Sequence, residues 1–210
     1  MAETAPLARS SIAPAAPEGV VAGWVVSARV SSAELTLTDL SPLAKVAVRA
    51  DPLGSMAAAL AAPDATTLVT SVVPGEWLVV AGAGAQVEVM EWVESVAAPA
   101  DGLVSVVDLT HGRALLRLTG RRAADVLAKE CAVDLSGRRC PDGRALRTAV
   151  SGLAVDVVRD DRDALPSYLM HCERSSGQYL FDALLDAGSE FGIDVDGFRS
   201  PGIQPSEGTP

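Results

Sequence analysis

A chain of 210 residues with a formal net charge of −10 repels phosphate backbones and anionic lipid surfaces, which sets nucleic acid and membrane aside as partners. Hydrophobic residues make up 49% and aromatics only 4%, so a sizeable core is available but must be filled by Val, Leu and Ala. The three cysteines, Cys131, Cys140 and Cys172, form no CxxC pair, which excludes a secreted disulfide framework and fits reduced thiols in a cytoplasm.

Residues 1–19 are rich in Ala, Pro and Ser and are expected to be disordered, as is the tail, 199–210. The N-terminal stretch lacks a continuous apolar stretch of signal-peptide length, and no run reaches the roughly 18 apolar residues of a membrane helix. Between them, residues 20–198 form the folded part. An extended segment reaches to Asp39. Ala44–Arg49 alternates Val46 and Val48 with charged Lys45 and Arg49, the pattern of a strand. Ser55–Ala62 predicts a short helix closed by Pro63. Thr66–Val73 and Glu76–Ala81 read as strands, and Ala85–Ala97 as a helix with Val89, Met90, Val93 and Val96 inward. Leu103–Leu109 is β-rich. A turn at Thr110–Gly112 then predicts a hairpin into Arg113–Thr119, with Ala114, Leu116 and Leu118 on one face and Arg113 and Arg117 on the wet one. Gly120 breaks this strand, and Thr119 or Gly120 can cap the next helix. That helix carries Ala123, Leu127 and Cys131 four apart on its apolar face, with an Asp125–Lys129 pair outside. Leu146–Arg159 folds back near Ser151–Gly152, Ser167–Cys172 is a strand, and Gly177–Phe191 is an amphipathic helix.

The two halves repeat. VAVRADPLGSMAAAL (Val46–Leu60) parallels LLRLTGRRAADVL (Leu115–Leu127), each a strand, a break and an Ala-rich helix. EWLVVAG (Glu76–Gly82) parallels SYLMHCE (Ser167–Glu173), each an aromatic-bearing strand before an amphipathic helix. The expected fold class is therefore α+β, built of two divergent βαββα, ferredoxin-like units spanning about 31–100 and 101–192.

Motifs of chemistry are missing. GAGA at Gly82–Ala85 follows a strand but lacks a third glycine, and Gln86 and Glu88 open the helix beyond it, so it reads as a connector rather than a dinucleotide loop. There is no Walker A sequence, HExxH or GxSxG. His171 lies inside an apolar strand and reads as a packed imidazole, and His111 reads as a turn residue. Cys140, His171, Cys172 and His111 lack the short paired spacing of structural zinc, so no metal site is expected.

The run VVDLTHGRALLRLTGRRAADVLAKECAVDL (Val106–Leu135) resembles the gamma subunit of heterotetrameric sarcosine oxidase. The pattern is carried by Asp108, Thr110, His111, Gly112, Arg113, Arg117, Leu118, Gly120, Ala123, Val126, Leu127, Cys131, Asp134 and Leu135. The resemblance runs from about residue 31 to 192, less sharply at EWLVV and at LFDALLDAGSEFG (Leu180–Gly192). That family is itself similar to the folate-binding domain of the glycine-cleavage T-protein, which implies the same two-unit fold. It further implies a non-catalytic subunit that joins alpha and beta subunits and a small delta subunit in the cytoplasm. The FAD, FMN, NAD and tetrahydrofolate that demethylate sarcosine to glycine would sit on those other chains, and no cofactor on this one. No catalytic, cofactor-binding or metal residue is carried over. Asp108, His111, Arg113 and Arg117 are the candidate interface. The alternative is a stand-alone folate-dependent aminomethyltransferase-like or folate-binding protein.

Overall fold

The computed structural model describes residues 6–61, 63 and 66–199. In chain order the strands and helices are β1 (Ala8–Arg9), β2 (Glu18–Val21), β3 (Trp24–Ser27), β4 (Leu35–Asp39), β5 (Leu43–Arg49), α1 (Ser55–Leu60), β6 (Leu68–Val73), β7 (Glu76–Ala83), α2 (Gln86–Ala97), β8 (Ser105–Asp108), β9 (Arg113–Gly120), α3 (Ala123–Glu130), β10 (Ala145–Val150), β11 (Leu153–Arg159), β12 (Ser167–Glu173), α4 (Gly177–Gly188) and β13 (Asp194–Val195). A 3₁₀ turn precedes α4 and another follows it.

The expected α+β fold of two βαββα units is what forms. One sheet has the order β6-β7-β5-β8, the other β10-β11-β12-β9-β4-β13, and a small N-terminal sheet has β1-β3-β2. The sequence parallels hold in space: β5–α1 answers β9–α3, and β7 answers β12 at the next position in each sheet. The end strands, however, are exchanged. β4 precedes β5 in sequence yet pairs antiparallel with β9, Leu35 opposite Gly120. β8 precedes β9 yet pairs antiparallel with β5, Val46 opposite Asp108. The expected hairpin of Leu103–Leu109 with Arg113–Thr119 is therefore not made, and the halves 31–100 and 101–192 are not separate sheets. Gly112 N–H and Arg113 N–H both return to Leu109 O in a tight turn, which swings the chain from one sheet to the other.

Two faces of these sheets are covered by helices. Ala44, Val46, Val48, Val79 and Ala81 pack against Met56, Leu60, Val89 and Val93 of α1 and α2. Leu116, Leu118, Val155, Val157, Tyr168 and Met170 pack against Val126, Leu127, Leu180 and Leu184 of α3 and α4. The opposite faces meet each other: Leu43, Leu78 and Val80 of the first sheet and Leu115, Val158 and Leu169 of the second form one cluster with Trp24, Val26, Leu40 and Phe198. The layers are thus helix, sheet, sheet, helix, and β9 is buried on both sides.

Several local expectations change with this packing. Residues 6–19 are part of the fold: Ile12 is 2% exposed in the core, Ala13 N–H donates to Gln178 Oε1 at 2.7 Å, and Arg174 donates to Arg9 O at 2.6 Å. Composition suggested mobility because the contacts to Gln178 and Arg174 that hold the segment are long-range. Lys45, a charged residue of an alternating strand, is fully buried because its face of β5 lies against the other sheet. No side chain caps α3, which starts after Arg122. Asp125 pairs with Arg122 at 3.0 Å, and Lys129 with Glu190 at 2.9 Å, rather than with each other. Ser151 and Gly152, with φ of 50° and 78°, form the tight β10–β11 turn. GAGA connects β7 to α2, with Gly84 at φ 88°. The tail beyond Arg199 lies outside the described residues. Among the described residues no helix is long and apolar enough to cross a membrane.

Candidate functional site

The layer between the sheets is unlike the two helix-covered cores, because charged side chains enter it. Cross-strand register places Arg147 opposite Asp156, Asp156 opposite His171, and His171 opposite Leu115, so one row crosses four strands on the inter-sheet face. Glu76, from the facing sheet, joins this row. Arg147 donates to Asp156 Oδ1 at 2.7 Å and lies 3.0 Å from Glu76 Oε2, and Glu76 also meets Arg49 at 3.1 Å. The resulting chain Arg49–Glu76–Arg147–Asp156 ties the two sheets together.

These residues line an open cleft of about 420 Å³, its mouth included, with Arg113, Trp77, Val72, Leu78 and Leu109 completing the wall. His171 is 6% exposed. Its Nδ1 is 3.5 Å from Asp156 Oδ2, too long for a good hydrogen bond, and Nε2 has no partner among the described residues. Burial pushes the His171 pKa down, against the weaker pull of Asp156, so the ring is neutral near pH 7. For Asp156, burial raises the pKa, but His171 and Arg147 together outweigh it and hold the carboxylate below its usual range. His171 is thus a buried imidazole in the cleft wall, beside a carboxylate, with neither ring nitrogen in a hydrogen bond among the described residues. That arrangement can hold and orient a polar group.

The residues expected at an interface fare unequally. Arg117 is 9% exposed and already committed: it meets Asp160 at 2.6 Å and donates to Ser167 Oγ at 2.9 Å. It is corrected from an interface residue to a buried structural one, because the second face of β9 is covered by the other sheet. Arg113 is half-buried at the cleft and pairs with Glu173 at 2.6 Å. Asp108 is exposed and accepts from Thr110 N–H at 2.8 Å. His111 is exposed yet stacked on buried Trp24, ring centroids 4.6 Å apart. Asp108, His111 and Arg113 therefore remain near the surface, while Arg117 does not.

A second buried group escaped the sequence reading. Lys45 Nζ donates to Ser41 O and Leu43 O, each at 2.7 Å. Its pKa is pulled down to about 7, chiefly by burial, with Asp39 and Asp108 opposing. The N-terminal segment covers this region, Ser10 reaching toward Asp39. Cys140, His171, Cys172 and His111 do not converge: Cys172 faces α4 while His171 faces the other sheet, and no metal-holding group exists among the described residues. Asp156 and His171 were legible only as the odd polar residues of two apolar strands. Their meeting depends on the β11–β12 register.

The fold places this chain among aminomethyltransferase-like domains. The GCVT N-terminal domain matches residues 53–203, and the chain belongs to that family. A chain of the heterotetrameric sarcosine oxidase from Corynebacterium sp. U-96 superposes with a TM-score of 0.66 and 25% identity, covering 80% of this chain and 90% of that one. The glycine cleavage system aminomethyltransferase T from Bartonella henselae gives 0.64 at 19% identity over 86% of this chain and 55% of that one, a likeness of fold. Mitochondrial dimethylglycine dehydrogenase from Homo sapiens is 28% identical over 121 residues, which are 58% of this chain and 14% of the dehydrogenase. The Rattus norvegicus protein is 26% identical over the same length, again 14% of its own chain.

Proposed function

We propose that this chain is the non-catalytic gamma subunit of a heterotetrameric sarcosine oxidase. The observation that carries the reading is coverage. The sarcosine oxidase chain is matched over 90% of its length, whereas the aminomethyltransferase is matched over 55% and the dehydrogenase over 14%. The match thus spans nearly the whole of a chain of such an assembly and only a part of the other two proteins. In this reading the alpha, beta and delta subunits hold FAD, FMN, NAD and tetrahydrofolate. Sarcosine is oxidatively demethylated to glycine there, with tetrahydrofolate accepting the one-carbon unit. The lack of a glycine-rich phosphate loop in this chain is in keeping with that division. Co-expression with the products of neighbouring genes, followed by size-exclusion chromatography, tests it. The chain alone should be colourless and inactive, and should elute with a yellow, sarcosine-oxidising complex. A yellow isolated chain, or one that stays monomeric beside those partners, would overturn the proposal.

A second reading, a folate-binding protein, is favoured by the unpaired His171 nitrogen and Asp156 in the cleft. Against it stands the Glu76–Arg147 bridge, which crosses between the sheets there and would have to open for a ring as large as a pterin. Calorimetric titration with tetrahydrofolate separates the two: binding by the isolated chain that is lost in Asp156→Asn would favour the second.

A further inference from the structure

The two sheets end differently. In the larger sheet the exchanged strand β4 is followed by β13, which adds in parallel with Asp194 opposite Thr36 and Val195 opposite Leu37. In the smaller sheet the exchanged strand β8 occupies the equivalent place, and no described strand lies beyond it. One half of a duplicated fold therefore shows an added strand where the other half presents an open edge.

The backbone of that edge can be assigned. Leu109 N–H donates to Lys45 O at 2.8 Å. Antiparallel alternation then turns Val107 and Ser105 toward β5, and the N–H and C=O groups of Val106 and Asp108 outward. Around this edge the exposed apolar side chains are Val107, Leu103 and Leu53, at 47%, 89% and 94% exposure. Asp101 N–H donates to Ser55 Oγ at 3.1 Å, which brings the loop carrying Leu53 beside the loop carrying Leu103. The exposed charges nearby are acidic, Asp51, Asp101 and Asp108, except for Arg49, which is held by Glu76. A second copy of a chain with net charge −10 would bring these carboxylates against one another.

We propose that β8 is a docking edge completed by an extended segment of a different polypeptide, apolar at alternate positions and bearing Lys or Arg. The added strand takes the outward groups of Val106 and Asp108, as β13 takes those of β4. Main-chain bonds supply the affinity, and the apolar and acidic side chains choose the partner. The proposal deepens the subunit reading and rests on it for the existence of a partner chain.

Hydrogen exchange with residue-resolving fragmentation tests it on the free chain and on the co-expressed complex. The Val106 and Asp108 amides should exchange fast in the free chain and at least tenfold more slowly in the complex, while Val107 is slow in both. Val107→Lys, at an exposed site, should keep the melting temperature and weaken assembly at least tenfold. Tyr179→Lys, exposed on α4, should keep both the melting temperature and the assembly. A complex in which Val106 and Asp108 remain fast, or one that Val107→Lys leaves intact, overturns strand addition and leaves the subunit reading standing. Slow exchange at both residues in the purified chain, together with a dimer on sizing, would assign the edge to a second copy and overturn the proposed partner. Absence of any complex overturns both readings.

Discussion

Two arginines on one strand separate the local rules from the tertiary ones. Arg113 and Arg117 share a face of β9, and both form ion pairs at 2.6 Å. Arg113 and Glu173 keep 32% and 63% of their side-chain surface in solvent, whereas Arg117 and Asp160 keep 10% and 7%. Arg113→Ala should then cost at most about 1 kcal/mol, as exposed pairs do. Arg117→Ala removes one of the two arginines on buried Asp160, Arg162 staying on the same oxygen, and strips Ser167 Oγ and Asp160 O of the guanidinium, so it should cost about 1–3 kcal/mol. Urea unfolding of the two variants measures this, and equal losses would contradict the assigned burial. His171 provides the pH counterpart. Its pKa is lowered in the folded state, so the unfolded chain binds the proton first as pH falls. Stability is complete above the unfolded pKa of about 6.5 and declines below it. Denaturation between pH 7.5 and 5 should show wild type losing stability relative to His171→Leu. Parallel pH profiles would mean that the ring is not held neutral. The sequence showed Arg117 and His171 only as polar breaks in apolar runs. Leu115, apolar on the arginine face, was the visible sign that this face too is covered.

At the scale of elements, strands and helices were legible because each has its own period, and Gly, Pro and Asp breaks separate them. The pairing of β5–α1 with β9–α3 was legible for the same reason. Strand neighbours were not. Alternation tells which face of a strand is buried and nothing about what lies along its edges, so SVVD followed by a turn and RALLRLTG looked like a hairpin. The cleft was lost with it, since Asp156, His171 and Glu76 meet only through sheet register and sheet stacking. The exchange has a direct consequence for dissection. A fragment of residues 101–199 lacks β4 and keeps β8 without β5, leaving β9 an open edge. It should not fold cooperatively alone. Mixing it with 6–100 should restore a cooperative thermal transition by circular dichroism. A cooperative transition from 101–199 by itself would show that the exchanged strand is dispensable.

Taken whole, the molecule has two apolar layers under helices and one mixed layer between sheets, where Lys45, Arg117, Asp160, His171 and Asp156 are buried or nearly so. The outer layers are generic packing of Val, Leu and Ala. The middle layer carries ion pairs that accept one stacking of the sheets, and it is where the cleft opens. The exchanged strands also set the order in which the chain can be completed during synthesis. Translation delivers β4 and β5 early, but β5 gains β8 only after α2 has been made, and β4 finds Gly120 later still. Until then the emerging half holds unsatisfied backbone edges on both strands, and closing them requires contacts far apart in sequence, a slow class of event. The nascent polypeptide therefore spends its most exposed interval with two strand edges waiting, and its yield in the cell depends on how well that interval is protected.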